Sequence, residues 1–304
     1  MMESPIQYIL TAVLYVIYLL GLMVNLIIVA ANAMKWKSLK SLQTCDKILI
    51  SLAISRSLNF FYIIIWNTIF LFFPRLLRNN ILLSILNILI MFTFYSSFWI
   101  ATNLCVFYCV RIVTYNYKLF TFLKSNISTM VTWLIPVSLL ISLISSLPFG
   151  WYGYGLKLQN IRNENTTEYG LSTAQILKIR FLCFSLGSLP PFLIYCVANL
   201  LLIHFLLMHI RQMRSNESHI QSPNMNSHFN ALKSMSLFLV LQIMLFMYAS
   251  IHSSGVLFQL QYSHFIADII ACIPTLFHSL YMISSSREVK KMLTSTCLGL
   301  IRCC

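Results

Sequence analysis

The sequence predicts an all-α membrane protein, a seven-transmembrane helix bundle with its N-terminus outside and its C-terminus cytoplasmic. Three observations carry that prediction. Seven apolar stretches follow one another along the 304 residues, each long enough to cross a bilayer. A spanning helix needs ~20 mostly apolar residues, because only closed helices or barrels satisfy their backbone polar groups in hydrocarbon. Hydrophobic residues make up 59% of the chain and charged residues 9%, with a mean hydropathy of +0.79, a composition that would aggregate in water. Finally, Lys and Arg gather in every second connection.

The spans are read at about 6–31, 48–73, 81–108, 128–149, 176–208, 231–253 and 262–284, with 285–304 left as a cytoplasmic tail. The first contains Asn25 and is expected to serve as its own insertion signal. Residues 1–8 carry Glu3 rather than a basic leader, and no cleavage site precedes the first loop. The second contains Arg56 and the fourth Pro136. The fifth holds Pro190 and Pro191, and the seventh holds Asp268, Pro274 and Ser279. Each proline removes one backbone hydrogen bond, so each is a candidate kink or hinge.

The connections orient these spans. Lys35, Lys37, Lys40 and Lys47 flank the first; Arg111, Lys118 and Lys124 fill the third; Arg211, Arg214 and Lys233 bracket the fifth. Arg287, Lys290, Lys291 and Arg302 follow the last span, and all of these are expected to face the cytoplasm. The opposite side holds Arg75, Arg78, Lys157, Arg162, Lys178 and Arg180, diluted by Glu3, Glu164 and Glu168. Spans, loops and tail consume the chain, so residues 1–304 are read as a single domain. The net charge of +14 belongs to this orientation pattern rather than to a nucleic-acid partner, because no aromatic-interleaved basic region accompanies it.

Cysteine and sequon positions follow from the same topology. Cys105, Cys109, Cys183, Cys196 and Cys272 fall inside spans, where cysteine acts as a small apolar filler, and none lies well inside an external loop. The closing Cys303 and Cys304 are candidates for palmitoylation beside the membrane. Of three Asn-x-Ser/Thr sequons, Asn126 and Asn216 fall on the cytoplasmic side, so Asn165 alone is eligible for a glycan.

No enzyme constellation is present: the chain lacks H-E-x-x-H, G-x-S-x-G and a phosphate loop, and seven carboxylates offer no catalytic pair. Catalysis, a cofactor and a bound metal are therefore not expected. A transporter ordinarily shows inverted repeats or matched broken helices, and seven spans without such pairing argue against one.

Polar residues inside spans are expensive in lipid and normally face the bundle interior. Asn25, Arg56 and Ser279 all lie toward the cytoplasmic half, so the five donors of the Arg56 guanidinium can join three helices as an interhelical lock. Such a lock either rearranges during switching or acts as static glue. Asp268 is the sole carboxylate within a span, about two turns from the external face. It serves either as counter-ion to Arg56 or as the contact for a cationic ligand.

Seven spans with an external N-terminus describe a G-protein-coupled receptor, yet the third span ends Phe107-Tyr108-Cys109-Val110-Arg111-Ile112 rather than in an Asp-Arg-Tyr box. Cys-Trp-x-Pro and Asn-Pro-x-x-Tyr elements are missing as well. What stands in their place is Asn25, then Leu52-Ala53-Ile54-Ser55-Arg56, then Trp99-Ile100-Ala101-Thr102 and Phe107-Tyr108-x-x-Arg111-Ile112. Leu119-Phe120, Leu123-Lys124, Pro191-Phe192, Leu201-Leu202-Ile203, His209, Met213, His228-x-x-Ala231-Leu232-Lys233, Phe238-Leu239 and His278-Ser279-Leu280 follow in order. This series resembles the bitter taste receptors, the type 2 taste receptor family, along nearly the whole chain. Arg111 stands where the family has Lys and Phe205 where Ser is usual, while Asn165 matches the family's glycosylation position.

The resemblance implies a multi-pass plasma-membrane receptor for small bitter compounds. It implies an agonist pocket in the outer half of spans three, five, six and seven, and a heterotrimeric G protein of the gustducin or inhibitory type at the inner face. The expected ligand-binding residues are Asn87, Ile90, Met91, Phe94, Phe181, Phe184, Tyr248 and Asp268. Ile90 replaces a frequent Trp and Phe94 a frequent Asn, which points to an altered agonist range. Expected coupling residues are Tyr108, Arg111, His209, Met213, His228, Leu232 and Lys233. A vomeronasal type 1 pheromone receptor shares the architecture, and a seven-span transporter is the alternative from a different class.

Overall fold

The computed structural model describes residues 5–113, 118–151, 173–216, 236–237, 239–248, 250–251 and 263–285. Among these, the long helices are α1 (Pro5–Leu39), α2 (Thr44–Phe72), α3 (Asn80–Ile112), α4 (Lys118–Ser146), α5 (Thr173–Asn216) and α7 (Ser263–Ser285), with the shorter apolar helix α6 at Leu239–Tyr248. Among the described residues, five stretches are long and apolar enough to cross a membrane: Tyr8–Leu39, Thr44–Phe72, Asn80–Ile112, Phe122–Trp151 and Lys178–Gln212. Large apolar side chains such as Trp133, Leu140, Leu186, Leu193 and Val197 lie exposed on α4 and α5, as helices facing lipid require.

The helices outrun the apolar windows. α1 continues past residue 31 to Leu39, α3 past 108 to Ile112, and α4 starts ten residues before 128, at Lys118. Apolarity marks hydrocarbon depth, whereas a helix continues until its hydrogen-bond ladder is broken. α1 stops at Lys40, which takes a left-handed φ of 50° and returns its N–H to the Trp36 carbonyl at 2.8 Å. α2 starts where the Asp46 carboxylate accepts the Gln43 N–H at 3.2 Å, and the same carboxylate pairs with Lys35 Nζ at 2.8 Å. That pair ties the end of α1 to the start of α2. Asn79 caps α3, its Oδ1 accepting from Ile81 N at 3.1 Å and Leu82 N at 3.3 Å.

α3 is the hub, packed on α2, α4 and α5, while α1 packs on α2 and α7. Its polar side chains carry the cross-links. Asn103 Nδ2 donates to Ser138 Oγ on α4 at 2.8 Å, and Thr102 Oγ1 donates to the Pro191 carbonyl on α5 at 3.0 Å. From α2, Ser55 Oγ donates to the Thr93 carbonyl at 3.0 Å and Asn59 Nδ2 to Thr93 Oγ1 at 3.0 Å. Around these links sit apolar clusters, one joining Ile48 and Leu52 to Ile100, Leu104 and Val131, another joining Cys105, Cys109 and Val113 to Tyr195 and Leu202. Cys105, Cys109 and Cys272 are buried as free thiols.

Candidate functional site: two polar centres inside a helical bundle

The middle of the bundle is organised around the Arg56 guanidinium, buried between α2, α3 and α7. Nη1 donates to Ser279 Oγ at 3.1 Å and meets His278 Nδ1, while Nε reaches Ser97 Oγ at 3.4 Å. Accepting from an arginine requires the neutral His278 imidazole with its proton on Nε2. Ser279 Oγ in turn donates to Asn25 Oδ1 at 3.0 Å, and Asn25 Nδ2 donates to the Gly21 carbonyl at 2.7 Å. Asn25, Arg56 and Ser279 therefore form one continuous chain across α1, α2 and α7. Ser97 and His278 complete it. Sequence reasoning missed Ser97 because a serine is small enough to pass unnoticed in a helix.

Asp268 does not pair with Arg56. Along α7 it stands eleven residues from Ser279, about 16 Å of helix rise, which exceeds the reach of a guanidinium side chain. The Tyr248 hydroxyl donates instead to Asp268 Oδ1 at 3.4 Å, joining α6 to α7, and Tyr18 of α1 lies within electrostatic range of the same carboxylate. Of the two roles expected for Asp268, the counter-ion of Arg56 is the one the geometry removes.

Tyr248 also packs against a second centre formed by α3, α5 and the end of the α4 segment. Tyr95, Phe149 and Phe184 are its buried core, with Met91, Phe94, Cys183 and Tyr248 around them. Phe94 lies 6.0 Å from Phe184 and stacks on Phe98 at 5.9 Å, and Tyr95 stacks on Phe184 at 6.3 Å, centroid to centroid. Helical spacing explains why these meet: Met91, Phe94, Tyr95 and Phe98 fall on adjoining turns of one face of α3. Gly187 lets α5 approach, since a Cβ there would stand 2.8 Å from Tyr95 Cζ.

The expected ligand residues Met91, Phe94, Phe184, Tyr248 and Asp268 are thus brought together. Ile90 contributes its carbonyl, which accepts from Asn59 at 3.2 Å, and Asn87 lies half-buried one turn away on α3. Phe181 is not part of the cluster and is 37% exposed. Arg180, counted from sequence among the charges of the external side, is half-buried on α5, within electrostatic range of Tyr95 and Tyr248. A separate groove of about 320 Å³ runs along α4, lined by Asn126, Thr129, Met130, Trp133, Leu134 and Val137.

At the other end of α3, the Tyr108 hydroxyl meets Cys45 Sγ at 3.2 Å, linking α3 to the first turn of α2. Arg111 is exposed, its guanidinium 5.8 Å from the centroid of the Phe107 ring. His209 and Met213 are on α5 beyond the described side chains, while His228, Leu232, Lys233, Asn165, Cys303 and Cys304 lie outside the described residues. Among the described residues, no group of His, Cys, Asp and Glu is arranged to hold a metal ion.

Comparison with known proteins matches residues 2–300 to the family model for Taste receptor protein (TAS2R). The human (Homo sapiens) Taste receptor type 2 member 9 is 28% identical over 277 residues, covering 90% of this chain and 88% of the relative. The rat (Rattus norvegicus) Taste receptor type 2 member 39 is 30% identical over 229 residues, or 74% of this chain and 71% of the relative. The chicken (Gallus gallus) Taste receptor type 2 member 40 is 27% identical over 288 residues, or 90% and 89%.

Proposed function

The chain belongs to the taste receptor type 2 family, and on that premise we propose that it is a seven-span, G-protein-coupled chemosensory receptor of the plasma membrane, with its N-terminus outside. Its ligands are small bitter compounds, and its signal passes to a heterotrimeric G protein of the gustducin or inhibitory type. The family match supports this reading over the vomeronasal type 1 and transporter alternatives.

The observation that carries the pocket assignment is the convergence of α3, α5, α6 and α7 on one aromatic cluster that ends in a carboxylate. Apolar rings with a few converging polar groups suit small amphipathic molecules. Asn87, Ile90, Met91, Phe94, Phe181, Phe184, Tyr248 and Asp268 are the proposed agonist contacts, with Phe181 reaching the ligand only if its side chain swings inward. At the inner end, Tyr108, Arg111, His209, Met213, His228, Leu232 and Lys233 form the proposed coupling surface.

Activation is a population shift. An agonist stabilises the coupling-competent helix arrangement by no more than its differential affinity for the two states. The chain from Asn25 through Ser279 to Arg56 is the proposed lock between those states, because it crosses three helices and must break if they separate. Pro136, Pro190, Pro191 and Pro274, each inside a helix, are the proposed hinges.

Expression in cells carrying a gustducin-type G protein, followed by a calcium-readout screen of bitter compounds, tests the proposal. Concentration-dependent responses that vanish without the G protein are the expected result. Compound uptake with no dependence on a G protein would overturn it.

A further inference from the structure

Arg180 sits about two turns into α5, at a depth where a cation ordinarily extends outward to the headgroups. Here it turns inward. Its Nε is buried and has no hydrogen-bond partner, and the guanidinium lies within electrostatic range of Tyr95 on α3 and Tyr248 on α6. Helical geometry accounts for the direction: Arg180, Phe184 and Gly187 follow one another at four- and three-residue steps, so they share the stripe of α5 that meets α3. Phe184 and Gly187 on that stripe both touch the Tyr95 ring.

The Tyr95 hydroxyl is a second, independent orphan. Tyr95 is 0% exposed, and its oxygen finds no partner. Two unsatisfied donors, one of them cationic, thus belong to the aromatic cluster and its α5 flank, and Tyr248, in electrostatic range of Arg180, donates to Asp268 on α7. Unpaired buried donors are costly to maintain, and an incoming acceptor relieves that cost. The acceptor that best matches a guanidinium beside a phenol is a planar anion, because the Arg fork bonds two oxygens at once.

We propose that Arg180 is a specificity-determining residue that receives the anionic group of an agonist, a carboxylate or sulfonate on an aromatic or alicyclic body, with the Tyr95 hydroxyl as auxiliary donor. The inference rests on reading the aromatic cluster as the agonist site. With Arg180 on α5 and Asp268 on α7, the site accepts dipolar molecules, the anion toward α5 and the amine toward α7. Cations and neutral compounds use Asp268 and the rings alone.

The test is a calcium-readout screen of bitter compounds sorted into anionic, zwitterionic, cationic and neutral classes, on wild type, Arg180→Gln, Arg180→Lys and Tyr95→Phe at matched surface expression. Anionic and zwitterionic agonists are expected to lose tenfold or more in potency with Arg180→Gln, to recover part of it with Arg180→Lys, and to lose about threefold with Tyr95→Phe. Cationic and neutral agonists are expected to move less than threefold. Equal loss across all classes would make Arg180 a packing residue, and a wild-type agonist set lacking anions would also overturn the assignment. A binding measurement separates this from the signalling proposal. In purified full-length receptor, aromatic carboxylates such as indole-3-acetate and 2-naphthoate are expected to raise the melting temperature of wild type and of Tyr248→Phe, and not of Arg180→Gln. Their neutral amides are expected to act on all three alike. Acid-specific stabilisation without any cellular response would retain the Arg180 site and sink the coupling proposal, whereas the same stabilisation of Arg180→Gln would sink the Arg180 site alone.

Discussion

Arg56 Nη1 donates to Ser279 Oγ at 3.1 Å, joining α2 to α7 across 223 positions of sequence. The same serine hydroxyl donates to Asn25 Oδ1 on α1, so one small side chain stands between two helices that also meet through apolar packing. Removing the hydroxyl breaks the chain while leaving its end groups in place.

Ser279→Ala is therefore expected to separate a switching lock from static glue. One hydrogen bond contributes ~0.5–1.5 kcal/mol, so if it favours the resting arrangement its loss raises basal signalling about fivefold. Basal calcium or G-protein activation at matched surface expression reads this directly. A fall in expression with unchanged basal activity per receptor would assign the chain to stability only.

Gly187→Ala tests the close approach of α5 to α3. The added methyl would stand 2.8 Å from Tyr95 Cζ, and overpacking of this kind costs ~1–3 kcal/mol. A melting temperature several degrees lower is expected for the purified receptor. Combining it with Tyr95→Leu should recover part of that loss. Unchanged stability in the single variant would mean that the helices are not so closely apposed.

Topology has its own test. Asn165 is the one sequon assigned to the external side, so Asn165→Gln should abolish any glycosidase-sensitive mass shift. A shift that survives would reverse the orientation, because Asn126 and Asn216 would then be the glycosylated sites.

At the inner end, Arg111 and Lys233 are expected to shape the G-protein groove. Arg111 is exposed and held over the Phe107 ring, free to meet an acidic partner surface. Alanine at either position should lower maximal signalling severalfold with normal surface expression and unchanged agonist binding. Reduced expression with normal output per receptor would show that they only anchor helix ends at the headgroups.

The sequence made the lock and part of the aromatic cluster legible and hid Arg180 and Tyr95, for one physical reason. Asn25, Arg56 and Ser279 are costly in hydrocarbon wherever they lie, so their presence alone signals partners. Arg180 stands at the edge of an apolar run, where a charge reads as a headgroup anchor. Only the rotation of α5 turns it inward, and the hint was its four- and three-residue spacing to Phe184 and Gly187. Tyr95 was invisible among other aromatics in an apolar span. The Asp268–Arg56 alternative failed on depth: the eleven residues between Asp268 and Ser279 already set them far apart along α7, and the structure fixes Arg56 at Ser279.

Asp268 carries the last prediction. Its carboxylate is partly buried on α7 and accepts from Tyr248, which packs with Phe94, Phe184 and Met91, so a cation entering that cluster meets a charge with few competing partners. A hydrogen bond to a charged group contributes ~1.5–3 kcal/mol, which corresponds to roughly tenfold or more in affinity. Asp268→Asn keeps the shape and the acceptor oxygen while removing the charge, so cationic agonists should need about tenfold higher concentrations. Neutral agonists should shift little, and Tyr248→Phe should weaken cations less than Asp268→Asn because it removes only the hydroxyl that steadies the carboxylate. Equal loss of cationic and neutral agonists at intact surface expression would place Asp268 in helix packing and remove it from the agonist site.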